Sequence, residues 1–221
     1  MGKGKTKFFS SFALAHMGEM RILKRGGVLG KANRDWRNVA EHCLVEAALA
    51  YVLAEHLGAE RDVVVRAALL HDWYKRHERE AMTKSGVDVG HQATIRADSY
   101  LLSCYGVSDT VIRVARANIP ESADIARLAT RSLEEKVMHF IDLVTSSSAP
   151  VPFEERFRTL EKKEQNVAFS ESYRSKFGKG LYELQMEVGR REQDEFEKVL
   201  GLASGTLVDF LRKEVEKKFQ V

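Results

Sequence analysis

Asp35–Leu57 reads DWRNVAEHCLVEAALAYVLAEHL, a stretch rich in Ala and Leu and free of Gly and Pro, with Asn33 or Asp35 able to cap its start and Gly58 to end it. It reads as one helix. Val39, Ala40, Leu44, Ala47 and Tyr51 recur at helical spacing, but Val45, Leu49 and Val52 make most of the remaining circumference apolar too. A helix that is apolar nearly all round belongs at the centre of a fold. Asp62 then caps a second segment, VVVRAALLHDWYKR, whose apolar run closes on His71 and Asp72. Further helices are expected over about 91–105, 109–118 and 132–147, separated by Gly, Ser, Asp or Pro. Beyond Pro150 and Pro152 the composition shifts. Residues 153–221 carry 14 basic and 14 acidic side chains in mixed order, with Phe196, Val199, Leu200, Leu207, Phe210 and Leu211 at helical spacing. The expected organisation is an N-terminal extension over 1–34, a helical core over 35–150, and amphipathic helices over 151–221 that pack on the core and leave their charges in water.

Composition narrows the function classes. Of 221 residues, 44% are hydrophobic and 30% charged, the balance of a globular protein. Lys and Arg number 35 against 32 Asp and Glu, a net charge of +3 with the signs interspersed, so no nucleic-acid surface is expected. Cys43 and Cys104 stand far apart without CxxC spacing, which excludes a disulfide framework and a cysteine zinc site and favours a reducing, cytoplasmic setting. The first apolar stretch is broken by Ser10, Ser11, His16 and Glu19, too short and polar to span a bilayer. Gly4-Lys5-Thr6 mimics the end of a phosphate loop without its upstream glycine or strand, and Gly2 with Thr6 matches a loosely defined myristoylation pattern. GxGxxG, HExxH and GxSxG do not occur.

The informative residues are polar groups in runs that should be apolar. Asp142 sits in Val137-Met138-His139-Phe140-Ile141-Asp142-Leu143-Val144, His42 sits in the central helix, and His71-Asp72 follow Ala67-Ala68-Leu69-Leu70. A buried lone carboxylate costs several kcal/mol, which a cation can offset. Two imidazoles and two carboxylates form a mixed N/O set suited to a divalent metal. Adjacent helical residues point about 100° apart, so His71 and Asp72 can share an ion only near their helix end or against another helix. Singly, each residue has a plainer explanation: a hydrogen-bonded core histidine, or an Asp paired with Arg.

Together, the order His42, then His71-Asp72, then Asp142, with AALLHDWYK following AEHCLVEAALA, resembles the HD-domain metal-dependent phosphohydrolase superfamily, whose pattern is H…HD…D. The resemblance spans roughly residues 35–147. It implies an all-α fold, an HD-domain helical bundle with N- and C-terminal helical extensions. It also implies a hydrolase that cleaves a phosphate ester of a nucleotide or small phosphorylated metabolite with metal-activated water. His42, His71, Asp72 and Asp142 would be the metal ligands for one divalent ion (Mn, Fe, Co, Ni, Zn or Mg), with Asp72 also orienting or deprotonating the water. Lys75, one turn beyond Asp72, resembles the HDxxK variant and could contact substrate phosphate; alternatively it is a surface lysine paired with Glu78. Arg37 loosely resembles the phosphate-contacting arginine that precedes the first histidine in HD nucleotidases.

The departures matter as well. Deoxynucleoside monophosphate nucleotidases of this superfamily carry a Glu three residues after the HD pair, and alarmone hydrolases an acidic pair, whereas Lys75-Arg76 stand here. His91 resembles a ligand of two-metal members, but Ala117-Asn118 replace the next expected histidines. One firmly held ion is therefore expected, with His91 contacting phosphate or partly holding a second ion. The same gap disfavours di-iron oxygenase chemistry. The alternative to an enzyme is a non-catalytic metal- or nucleotide-binding regulatory protein. A nucleotide or small phosphate ester is the expected partner, with no membrane, and the C-terminal helices offer a homodimer surface. His139 could share the face of Asp142, while His16, His56 and His77 look peripheral.

Overall fold

The apolar stretch around His42 does form the centre of the molecule. In the computed structural model, which describes residues 11–29, 36–117, 130–147, 149–160 and 164–219, α1 is Met17–Arg25, α2 Arg37–Leu57, α3 Arg61–Leu70, α4 Lys75–Ser85 and α5 Val87–Cys104. They are followed by α6 Asp109–Ala115, α7 Leu133–Leu143, α8 Phe153–Leu160, α9 Glu164–Phe177, α10 Leu181–Leu200 and α11 Leu207–Phe219. The fold is all-α apart from a minimal antiparallel pair, β1 Thr145–Ser146 with β2 Ala149–Pro150, in which Thr145 faces Pro150. Gly2, Gly4-Lys5-Thr6, Asn33, Asp35 and Asn118 lie outside the described residues.

Helix α2 packs against α3, α7, α10 and α11. Its Cys43, Ala47, Ala50, Leu53 and Ala54 are fully buried, and each buried Leu or Val contributes about 1.5–3 kcal/mol through removal from water. Gly58 ends it in the left-handed conformation (φ +74°), which glycine alone adopts without cost, and its N–H donates to the Ala54 carbonyl. The N-cap of α3 is Glu60; Asp62, expected there, lies instead in the first turn, where its charge complements the helix dipole.

Helix α3 stops at Leu70, so His71 and Asp72 stand in a tight turn (71–74) before α4, at the helix end their chemistry requires. Helices α4 and α5 form an antiparallel pair with almost no gap: a Cβ on Gly90 would meet the Met82 backbone nitrogen at 2.4 Å. Helix α7 begins with a full capping box, Ser132 accepting from the Glu135 N–H and Glu135 accepting from that of Ser132. The helix expected over 132–147 ends at Leu143. There the chain turns into the strand pair, with Ser147 at a positive φ of 54°.

The C-terminal helices pack on this body. Helix α10 lies along α7, where Phe196 meets Phe140 edge-on at a ring-centroid distance of 5.7 Å, and α11 packs on α2. Val199, grouped with the apolar stripe in the sequence, is 66% exposed. Among the described residues, no helix is long and apolar enough to cross a membrane.

Candidate functional site

Two helices, α2 and α7, and the turn after α3 deliver the polar residues to one place. His42 and Glu46, four residues apart on α2, share a face. His71 comes from the C-cap of α3 and Asp142 from the last turn of α7. One ligand atom from each of His42, Glu46, His71 and Asp142 lies within 4.8 Å of the other three, and the first three side chains are buried. His42 Nε2 is 2.8 Å from Glu46 Oε1 and 3.5 Å from Asp142 Oδ1, and His71 Nδ1 is 3.2 Å from Glu46 Oε2.

The tautomers follow from carbonyl partners, which can only accept. His42 Nδ1 donates to the Ser147 carbonyl (3.2 Å) and His71 Nδ1 to the Ala68 carbonyl (2.9 Å). In the neutral rings each Nε2 then presents a lone pair, and that of His42 faces two carboxylate oxygens. Like-signed lone pairs at this range need a cation between them or a proton on the ring. Both Glu46 oxygens and His71 Nε2 are buried without a hydrogen bond. Two imidazoles held through Nδ1 by carbonyls, with uncompensated carboxylate oxygens opposite, are the donor set of a divalent metal centre, so the residues present fit such an ion.

The electrostatics agree. Burial alone would lower the His42 pKa, but Glu46 and Asp142 outweigh it and push it up to about 10. Burial holds Glu46 above the ordinary carboxylate range, against the pull of His42 and His71. Asp142 lies well below its usual value: burial opposes ionisation, yet Arg156, 2.8 Å away, and His42 prevail. Asp72 flanks the cluster, its Oδ2 3.7 Å from His71 Nε2 and its Oδ1 3.4 Å from Lys75 Nζ. Despite burial, Lys75 and His71 keep its carboxyl lowered.

Beside the cluster lies a cavity of about 280 Å³. Lys75 reaches into its wall, bound also to Glu78 at 3.0 Å, and Glu78 Oε1 is 2.7 Å from His91 Nδ1. Lys75 thus makes the pairing with Glu78 and still stands at the cavity. Burial notwithstanding, its two carboxylate neighbours raise its pKa, so it is a fixed positive charge. Arg79, Arg116 and Arg156 add further positive groups to the wall, and Asp98 anchors Arg116 while accepting from Trp73 Nε1.

Sequence reasoning missed Glu46 and Arg156, and it gave Glu78 only as a surface partner of Lys75. Glu46 carried the same cue as His42, a polar residue in an apolar helix, four positions on. Arg156 lay in a mixed-charge tail that reads as a solvated face. His139, also cued, turns away from the cluster to Glu192 (2.6 Å). Among the peripheral histidines, His16 is 4.0 Å from Glu19, His56 is 3.6 Å from Glu214, and His77 lies against the Tyr74 ring. The side chain of Arg37 lies outside the described residues.

Residues 39–146 match the family model of the HD domain. The chain carries an HD domain over about half its length and belongs through it to the HD-domain superfamily, which generally includes metal-dependent hydrolases. No curated protein and no solved structure matches the chain at a significant level.

Proposed function

We propose that this chain is a metal-dependent phosphohydrolase that cleaves a phosphate ester of a nucleotide or small phosphorylated metabolite. The observation that carries the reading is the juxtaposition of the His42, Glu46, His71 and Asp142 cluster with a cavity whose wall holds fixed cations. His42, Glu46, His71 and Asp142 would hold the ion, and Asp72, on the cavity wall beside them, would complete the set. A divalent ion there supplies a lowered water pKa and neutralises phosphate charge.

The chain's own residues supply the rest. Asp72, ionised and fixed by Lys75, orients the attacking water and accepts its proton. Lys75 holds a phosphate oxygen, and His91, fixed through Nδ1 by Glu78, donates Nε2–H to another when both its ring nitrogens carry a proton. The water oxygen bonds phosphorus as the ester P–O bond breaks, and the proton taken up by Asp72 passes to the leaving oxygen, giving phosphate and an alcohol. Phosphate release from a panel of nucleotides and simple phosphate esters, with Mn, Fe, Co, Ni, Zn or Mg supplied in turn, tests the reading. Release that disappears in Asp72→Ala is expected. Tight metal or nucleotide binding without turnover on any substrate would overturn it in favour of a regulatory binding protein.

A further inference from the structure

The wall of the cavity farthest along the chain from the HD domain has a different chemistry. It comes from α8 and α10, beyond the matched residues 39–146, and contains Phe157, Tyr182 and Gln185. Phe157 and Tyr182 are 2% and 7% exposed and lie against each other with ring centroids 5.3 Å apart and planes tilted by 41°. Gln185 stands one turn after Tyr182 on α10, on the same helix face, and is 9% exposed.

Its carboxamide carries two donors and an acceptor, and no side-chain hydrogen bond engages it among the described residues. The residue as a whole is buried, but its amide nitrogen and oxygen are not sealed from solvent, so they open to the cavity, where water meets them and a ligand group can take that water's place. An amide that borders a cavity beside two aromatic rings is therefore placed for a ligand group rather than for the protein. Phosphate does not suit it, since an uncharged amide is a poor anchor for a dianion when Lys75 and Arg156 are at hand. A planar heterocycle does. Its edge presents an adjacent donor and acceptor that a carboxamide meets with two parallel bonds, and its faces pack on aromatic rings. The cavity, at about 280 Å³, has room for one nucleotide rather than a polymer.

Resting on the phosphohydrolase reading, we infer that Gln185 reads the base edge of a mononucleotide whose base lies against Tyr182 and Phe157. The C-terminal helices thereby set the specificity of the HD-domain site. Loss of such a paired contact costs about 10- to 100-fold in discrimination.

The test compares kcat/KM for each nucleoside 5′-monophosphate with that for ribose 5-phosphate, which lacks the base, in the parent chain and in Gln185→Met, of similar size without the amide. The parent is expected to prefer its best nucleotide about 10- to 100-fold, and Gln185→Met to collapse that ratio toward one. A parent without preference, or a variant that keeps the ratio, overturns the inference and leaves the hydrolase reading standing. If no substrate is turned over, nucleoside monophosphate binding to the metal-free chain, followed by the Tyr182 ring signals in NMR, separates the two claims. Saturable binding over ribose 5-phosphate, weakened in Gln185→Met, supports the base site without hydrolysis; equal or no binding overturns it. Should Gln185→Met fail to fold by circular dichroism, the parent's own preference decides.

Discussion

Glu46 is fully buried, and neither of its oxygens has a hydrogen bond, so ionising it in place is costly. Such a carboxylate persists where a cation compensates it. Replacing it by Gln keeps the volume and removes the charge that an ion would meet. Glu46→Gln is expected to weaken divalent metal binding by about 10- to 100-fold, read by calorimetric titration. Unchanged affinity would remove Glu46 from the metal site. At this scale the sequence was informative where a polar group interrupts an apolar run. His42, His71 and Asp142 all carry that signature, and the structure brings all three together. The same signature at His139 marks a buried ion pair with Glu192, so the cue detects burial and compensation without naming the compensating partner. Arg156 and Gln185 gave no cue, because burial by a distant part of the chain leaves no mark on local composition.

Two elements hold the site through contacts their sequences only partly announce. Helix α5 carries His91 and lies against α4, which carries Glu78, and Gly90 is where the two backbones meet. A methyl group there strikes backbone rather than a yielding side-chain tip, so Gly90→Ala must push the helices apart. It is expected to destabilise the fold by about 1–3 kcal/mol despite alanine's better helix propensity. It should also shift the His91 ring resonances in NMR as the bond to Glu78 lengthens. A Gly90→Ala variant at parental stability would refute the close packing. At the start of α11, Glu197 reaches from α10 to accept from the N–H groups of Gly205 (3.0 Å) and Leu207 (2.9 Å). Glu197→Ala leaves the buried Leu207 donor and the part-buried Gly205 donor unmet and should cost about 1–3 kcal/mol in urea unfolding. Amides 205–207 should lose hydrogen-exchange protection. Helix existence was legible from apolar spacing, whereas ends were not: α7 stops at Leu143 because the strand pair, held partly by the Ser147 carbonyl's bond to His42, takes over.

For the whole molecule, protonation and metal binding compete for the same atoms, and the signs can be assigned. In the metal-free chain His42 titrates near 10, against an ordinary value of 6.5. Its stabilising contribution is complete below about 6.5 and is lost as pH rises through about 10. Glu46, raised from an ordinary 4.5, adds a loss of the same sign that begins as pH rises above 4.5, since its buried charge is disfavoured. Asp72 and Asp142 act oppositely: their contribution is present above about 3.8 and lost as pH falls through their lowered values. A divalent ion needs the His42 lone pair, so its binding displaces a proton and strengthens as pH rises. Thermal unfolding of the metal-free chain should therefore show Tm falling between pH 6.5 and 10. The increment in Tm given by saturating Mn2+ should grow across the same interval, because ligand-induced stabilisation follows the logarithm of affinity. His42→Asn should flatten the alkaline fall and reduce the metal increment together, since one imidazole is responsible for both. A metal increment equal at pH 6.5 and pH 9 would mean that the ion binds away from His42, and the cluster at the centre of the HD domain would lose its role.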